Sequence, residues 1–326
     1  MRILVIGGTR FIGLHLIPKL IAAGHHPVLF NRGSSPLPWN RDQVSQILGD
    51  RNDYADFAAK VKDQEFDAVI DMIMYNREQA EALISAFSAK KPHLIMLSTR
   101  GVYADPTNSP CYEDDLLIAD SGYAYGYNKA EAEIALHLAY KENGFPMTIL
   151  RLPAIYGEYD YQIRERYFIK RILDGRTRIL LPEGGAGVNQ REYAGNVAAQ
   201  IVFMLEYPRS IGHSINVGHA KIQTYRSIVT DAMAITGHQM EIYSIPAPLH
   251  PAIPVLARPV VTTLSIAKLQ SLGWQEEFTP YQGLANTIAW LKGEADEILP
   301  SHVNKAEHFD YEAEDRLILS HGIKIN

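Results

Sequence analysis

A doubly wound α/β fold, with helices on both faces of a parallel sheet, is the class this sequence predicts. Three observations point to it. Short apolar runs with little polar alternation recur through the first half of the chain, as strands covered on both faces require. Segments with helical spacing separate them. A glycine-rich turn stands directly between the first run and the first helical segment.

In chain order, strands are expected at Ile3–Gly7, Pro27–Asn31 and, more weakly marked, Ile47–Asp50; Phe66–Met72, His93–Ser98 and Met147–Leu152 follow. Between them, Ile12, Leu16, Leu20 and Ile21 give one apolar helix face. Ala80, Leu83, Ile84 and Phe87 give a second, and Ala130, Ile134, Ala135 and Leu138 a third. Strand–helix alternation of this kind implies right-handed crossovers in one sheet. Pro18 falls within the first helix, where its missing N–H removes a hydrogen bond.

After about Pro153 the rhythm changes and Gly/Pro-rich loops appear, as in Pro182–Gly187 and Pro246–Pro251. Helices are expected at Tyr167–Leu173, Val197–Leu205, Tyr225–Thr236, Ser265–Leu272 and Tyr281–Lys292. The division predicted is residues 1–155 for the nucleotide-binding sheet and 156–326 for a smaller C-terminal α/β lobe that binds substrate, with the chain re-entering the first domain around 190–220. That lobe is expected to pack on the carboxyl ends of the strands.

The 326 residues suffice for a sizeable core, and 47% hydrophobic with 21% charged residues is a globular balance that excludes disorder and fibre. The single cysteine, Cys111, forbids an intrachain disulfide and points to a reducing compartment. A net charge of −6 gives no basic excess for gripping nucleic acid. No apolar run approaches the length of a membrane span, and the N-terminus begins directly with a strand-like run rather than a leader. A cytoplasmic protein is expected. The 12 histidines show no paired-ligand spacing, so no metal is expected.

The most specific local motif is Gly7-Gly8-Thr9-Arg10-Phe11-Ile12-Gly13. Gly7 permits a tight turn, Gly13 lets the helix approach the sheet, and the amides at the helix start can hold a pyrophosphate. Gly7, Thr9, Arg10, Phe11, Ile12 and Gly13 are therefore candidate cofactor-binding residues of a Rossmann-type domain. Arg10 stands where a middle glycine is common. At the end of the second strand, where an acid would bind the ribose 2′-hydroxyl of NAD, the sequence has Asn31-Arg32. A carboxylate would repel a 2′-phosphate and an arginine would pair with it, so NADP is favoured, with NAD the alternative. Read blandly, Arg32 is a solvated turn residue.

Tyr125-Gly126-Tyr127-Asn128-Lys129 holds Tyr-x-x-x-Lys at the start of a predicted helix. Spacing of four puts both side chains on one face. An ammonium beside a phenol stabilises the phenolate, so Tyr125 can act as general acid/base in hydride transfer, and Lys129 can also bind ribose hydroxyls. Upstream, Leu97-Ser98-Thr99 ends a strand at the edge where ligands bind, and a hydroxyl there can hydrogen-bond a substrate oxygen. Its bland role is to satisfy a backbone group.

With these residues in view, the chain resembles the extended or atypical short-chain dehydrogenase/reductase superfamily, in its NAD(P)-dependent epimerase/dehydratase branch, over nearly its whole length. The glycine loop, Asp50, Ser98-Thr99…Val102-Tyr103, Tyr125/Lys129 and Arg151-Leu152-Pro153…Tyr156-Gly157 follow that family's order. The resemblance implies that Thr99, Tyr125 and Lys129 are catalytic and that Asp50 approaches the adenine. Gln190-Arg191-Glu192-Tyr193 is similar to the Arg-Asp-Tyr segment of sugar-nucleotide epimerases, which implies that Arg191 binds a substrate diphosphate. Asn196 stands where the family usually has Asp, Lys268…Leu272-Gly273-Trp274 matches its Lys…Leu-Gly-Trp helix, and Arg258 is a further candidate phosphate ligand. On the residues alone, Arg191 can instead be a structural ion pair with Glu192 or another acid.

Two departures shape the expectation. Arg100-Gly101 replaces the Asp-Glu of sugar 4,6-dehydratases, which removes that elimination chemistry. The opening Gly-Gly-Thr-Arg-Phe-Ile-Gly and the segment Phe309–Leu319 resemble a subgroup that includes chloroplast stem-loop RNA-binding proteins, in which Tyr-x-x-x-Lys is typically lost; here it is retained. The expected function is Tyr-assisted hydride transfer at a hydroxyl or keto group of a nucleotide sugar or similar substrate, as epimerase or oxidoreductase. A carbonyl reductase of a non-sugar metabolite and a non-catalytic or RNA-binding homologue are the alternatives. The resemblance also implies a possible homodimer. Arg10, Arg32 and Arg191 are expected to gather in one phosphate-binding cleft of an otherwise acidic molecule.

Overall fold

The computed structural model describes residues 1–35, 37–39, 42–105, 107–162, 164–249, 260–293 and 309–326. Strands β1 (Arg2–Ile6), β2 (His26–Asn31), β3 (Ser45–Leu48), β4 (Ala68–Asp71), β5 (His93–Thr99) and β6 (Met147–Leu152) alternate with α1 (Ile12–Ala22), α2 (Tyr54–Val61), α3 (Arg77–Ala86) and α4 (Ala124–Asn143). There follow β7 (Ala154–Tyr156), α5 (Arg164–Leu173), β8 (Arg178–Pro182), β9 (Val188–Asn189), β10 (Arg191–Tyr193), α6 (Ala194–Glu206) and β11 (His213–Asn216). The chain ends with α7 (Tyr225–Thr236), β12 (Glu241–Ile245), β13 (Val261–Thr262), α8 (Ala267–Ser271), α9 (Pro280–Lys292), α10 (Tyr311–His321) and β14 (Ile323–Lys324).

The residues pack as two units. Unit 1 takes in Met1–Pro153, Ala194–Gly218 and Leu264–Glu277; unit 2 takes in Ala154–Tyr193, His219–Thr263 and Phe278–Asn326. Unit 1 holds a seven-stranded sheet in the order β11-β6-β5-β4-β1-β2-β3. Every neighbouring pair in it is parallel. Ile3, Leu4, Val5 and Ile6 are wholly buried, and all six residues of β6 are buried. Phe57 and Val61 from α2, Leu83 from α3, Phe87 just after it and Leu136 from α4 fill the core against the sheet. α1 and α6 pack together, also within this unit. The order reverses at β1, whose neighbours are β2 and β4, so a crevice opens at the carboxyl ends of β1 and β4.

Unit 2 carries a three-stranded sheet, β14-β12-β8, over a core of Tyr167, Phe168, Ile179, Ile228, Val229, Ile242 and Leu284. Its other strands are two or three residues long, too short to leave a period-two pattern. α2 was not expected from the sequence; Asp53 caps it, accepting from Asp56 N, and Phe57 and Val61 are its buried residues. Pro18 is exposed within α1 and does not end it.

The face of α4 corrects the sequence reading. Ile134 is only partly buried and Leu138 is 44% exposed, whereas Gly126, Lys129, Ala130, Glu133 and Leu136 turn inward. Charged residues can occupy that face because each meets an opposite charge or a carbonyl. Arg151 on β6 grips Glu133 through Nε and Nη2 at 3.0 and 2.7 Å. Ser98 on β5 donates to the other oxygen of Glu133. Arg151 Nη1 reaches the Tyr103 hydroxyl at 3.1 Å and the Glu113 carbonyl at 2.8 Å. Tyr103 in turn donates to Asn216 on β11 at 2.6 Å. Burial pushes the Tyr103 phenol up to about 12, against the pull of Arg151. Burial disfavours the Arg151 charge, but Glu133 outweighs it and raises the guanidinium.

This network should be unforgiving of single deletions. Arg151→Met leaves the Glu133 carboxylate buried at 0% exposure without its counter-charge, and should cost about 3–5 kcal/mol in denaturant unfolding. The double variant Glu133→Leu/Arg151→Met should cost clearly less than the sum of the single losses.

Candidate active site

The glycine loop leaves β1 at its carboxyl end. Gly7 and Gly8 have φ of 95° and 86°, a region closed to most side chains, and Gly7 N donates to the Phe30 carbonyl at 3.1 Å. A Cβ on Gly13 would stand 2.2 Å from the Gly8 oxygen, so α1 can begin here only with glycine. Phe11, buried and at φ 44°, stores strain at the same turn. No side chain caps α1 and its first turn carries no acid, so the positive end of its dipole meets no negative side chain; the Gly13 and Leu14 amides bond the Arg10 and Phe11 carbonyls at 2.9 Å. That cradle fits a pyrophosphate. Thr9 and Ile12 are partly buried beside it, and Arg10 is exposed.

The ends of β2 and β3, the strands that follow β1 in the sheet order, carry two further candidates. Asn31 closes β2 by accepting from Gly33 N and Gln46 Nε2, both at 2.8 Å, while its own Nδ2 is buried without a partner. The unmatched donor suits a ribose or phosphate oxygen. Arg32 is exposed. Asp50 follows β3 and accepts from Asn52 N at 2.9 Å, an Asx turn that fixes the carboxylate.

Thr99 ends β5 in the same unit, its hydroxyl accepting from Gly101 N at 3.2 Å. Tyr125 lies in the first turn of α4 and is 46% exposed; Lys129, one turn on, is 2% exposed. Gly126 makes that turn possible, because a Cβ there would meet the Gly101 oxygen at 2.2 Å. Lys129 Nζ donates to the Leu97 carbonyl at 2.7 Å. Burial lowers the ammonium to about 8, with Asp71 and Glu133 opposing the shift. The Tyr125 ring stands 6.3 Å from Tyr75 and 6.2 Å from Tyr123. Sequence reasoning missed Asp71 and Tyr75: neither belongs to a motif, and only the placement of β4 beside β1 and β5 brings them to this edge.

In unit 2, Arg191 is buried and engaged. Its Nε is ion-paired with Glu165 and its Nη1 donates to the Asn189 carbonyl at 2.7 Å, with the Tyr225 ring 5.0 Å away. The partner is thus Glu165 on α5, not the adjacent Glu192. Glu192 meets His219 Nδ1 at 3.3 Å, and Tyr156 bonds the other ring nitrogen at 3.2 Å. Burial lifts the Asp160 carboxyl to about 7, against the pull of Arg164. Arg258 lies outside the described residues. Trp274 packs on Phe203 at 5.6 Å within unit 1. Among the described residues, no cluster of His, Cys, Asp and Glu could hold a metal ion, and no helix is long and apolar enough to cross a membrane.

Comparison with known proteins places this geometry. A model of the NAD dependent epimerase/dehydratase family matches residues 3–218. The chain is 28% identical over 309 residues to the chloroplast stem-loop binding protein of 41 kDa b of Arabidopsis thaliana, covering 88% of this chain and 78% of that one. It is 24% identical to 2'-dehydrokanamycin reductase of Streptomyces kanamyceticus, over 76% and 70% of the two chains. Its fold is that of UDP-glucose 4-epimerase from Thermotoga maritima, solved with UDP-glucose, at a TM-score of 0.71 and 20% identity over 90% of this chain and 99% of that one.

The cradle's geometry predicts that Gly13→Ala, by driving a methyl group into the Gly8 carbonyl, weakens NADP and NAD binding alike by at least about tenfold, roughly 1.4 kcal/mol. Titration calorimetry on the two nucleotides checks this.

Proposed function

Because the chain belongs to the NAD dependent epimerase/dehydratase family, we propose that it acts at a hydroxyl or keto carbon of a nucleotide sugar or similar substrate, as an epimerase or oxidoreductase. The observation that carries the reading is a tyrosine and a buried lysine one turn apart on α4, at the strand edge that also carries the glycine cradle and Thr99. The nicotinamide, when bound, supplies the hydride acceptor and donor. Tyr125 takes the proton from the substrate hydroxyl on oxidation and returns it on reduction. Thr99 orients the substrate oxygen or relays that proton. The Lys129 ammonium favours the phenolate and offers donors to ribose hydroxyls. Arg191 is assigned to a substrate diphosphate, for which the phosphate must compete with Glu165. The UDP-glucose in the fold neighbour supports a nucleotide sugar, and the reductase relative supports the carbonyl-reductase alternative.

For this reading, Tyr125→Phe should lower kcat on a nucleotide-sugar panel by about 10²–10⁴-fold while leaving nucleotide affinity unchanged. Near wild-type turnover would remove Tyr125 from the mechanism.

NADP is the proposed cofactor, on the exposed Arg32 after β2 and the absence of an acid there. Arg32→Glu should weaken NADP at least about tenfold and spare NAD. Tighter binding of NAD than NADP by the unaltered chain would reverse the assignment.

The stem-loop binding relative favours a second reading, an RNA-binding homologue. Salt-dependent RNA binding that survives Tyr125→Phe, with no turnover of any carbonyl substrate, would establish it in place of the first.

A further inference from the structure

We propose that Asp71 and Tyr75, carried by the end of β4 and the loop after it, are positioning residues for Lys129: they hold its buried ammonium charged and aligned beneath Tyr125. The inference rests on the reading of Lys129 as Tyr125's partner, and names what sets the pH range of that pair.

An ammonium that is 2% exposed and anchored to one carbonyl has lost most of its hydration and needs compensation from the protein. Two carboxylates favour its charge, Asp71 and Glu133. Glu133 is committed elsewhere, gripped through both oxygens by Arg151 and receiving Ser98. Asp71, at 0% exposure, is held more loosely: Arg51 donates to it at 3.3 and 3.2 Å, and Ile73 N at 3.0 Å. Asp71 is thus ion-paired with Arg51 from the loop after β3, and its charge also favours the ammonium of Lys129 on α4.

Tyr75 completes the arrangement. Lys129 Nζ lies 5.0 Å from the centre of its ring, within the range where the negative face of a π system attracts a cation. The same ring meets Tyr125, so Tyr75 touches both members of the Tyr-x-x-x-Lys pair. Its own place is fixed from the backbone: Tyr75 N donates to Gln79 Oε1 at 2.6 Å, and Gln79 Nε2 donates to Asn52 at 3.0 Å. The charged and titratable groups around Lys129 are therefore Asp71 and Tyr75 from the β4 side, Tyr125 and Glu133 from its own helix, Arg51 behind Asp71, and Arg151 behind Glu133. The strand β5 offers the Leu97 carbonyl.

The test is direct titration of Lys129 in the full chain by NMR of ¹³Cε-lysine, with the resonance assigned by Lys129→Arg. Asp71→Asn should lower the Lys129 midpoint by about one pH unit or more. Tyr75→Leu should lower it by a smaller amount, and Tyr75→Phe, which keeps the ring, should leave it in place. Arg51→Met, which removes the competing cation, should move it up. General loosening of the fold would shift all variants in one direction. The alkaline limb of kcat/KM should follow each midpoint. Fixed midpoints in both Asp71→Asn and Tyr75→Leu overturn the proposal. If Asp71→Asn does not fold, the Tyr75→Leu and Tyr75→Phe pair decides alone. Midpoints that move as stated in a chain with no turnover uphold the positioning role and sink the proposed reaction. Fixed midpoints, with turnover that Tyr125→Phe abolishes, do the reverse.

Discussion

The geometry of the proposed catalytic edge hangs on one buried ion pair, Glu133 with Arg151. Burying two opposite charges is a poor route to stability, because each loses water that the other only partly replaces. What the pair provides is placement. Glu133 sits two turns below Tyr125 and one below Lys129 on α4, so fixing Glu133 to β6 fixes the rotation of the whole helix. The same guanidinium reaches Tyr103, and through Tyr103 the edge strand β11, so helix, sheet and the loop after β5 share one anchor. Without it, the orientation of α4 would rest on packing alone. With it, the helix can pair its charges in a single orientation.

How much of this was legible in the sequence depended on whether the signal was local. The glycine loop and Tyr-x-x-x-Lys could be read because turn, cap and helix spacing involve neighbours only. The boundaries of β6 agree with its apolar run, Met147–Leu152, even though Arg151 lies within it. The face of α4 could not be read, since hydrophobic periodicity takes Lys129 and Glu133 for solvent residues. Their burial depends on Leu97 and Arg151, distant in sequence. Arg191 with Glu165 and Arg51 with Asp71 are hidden for the same reason.

The arginines divide between buried and exposed positions. A chain of net charge −6 suggests that its few functional arginines gather where phosphates bind. Arg51, Arg151 and Arg171 are each buried against an acid as internal fasteners, and Arg191 is buried against Glu165, with which a substrate phosphate would have to compete. Arg10 and Arg32 are the exposed members of the set singled out by sequence. Guanidinium suits the buried role, being permanently charged, flat and able to bond in several directions at once.

The two returns of the chain to unit 1 bear on how the protein is made. The first 153 residues contain the cradle, Thr99, Tyr125 and Lys129, yet they leave β6 as an open edge until β11 pairs with it. Leu264 then bridges to Cys111, and Ser265 N donates to the Cys111 carbonyl at 2.8 Å. On a ribosome, the unit holding the proposed catalytic residues is therefore unfinished until most of the polypeptide has emerged. An unpaired strand edge waits exposed through that interval, the kind of surface that chaperones shield and that stalled chains aggregate through.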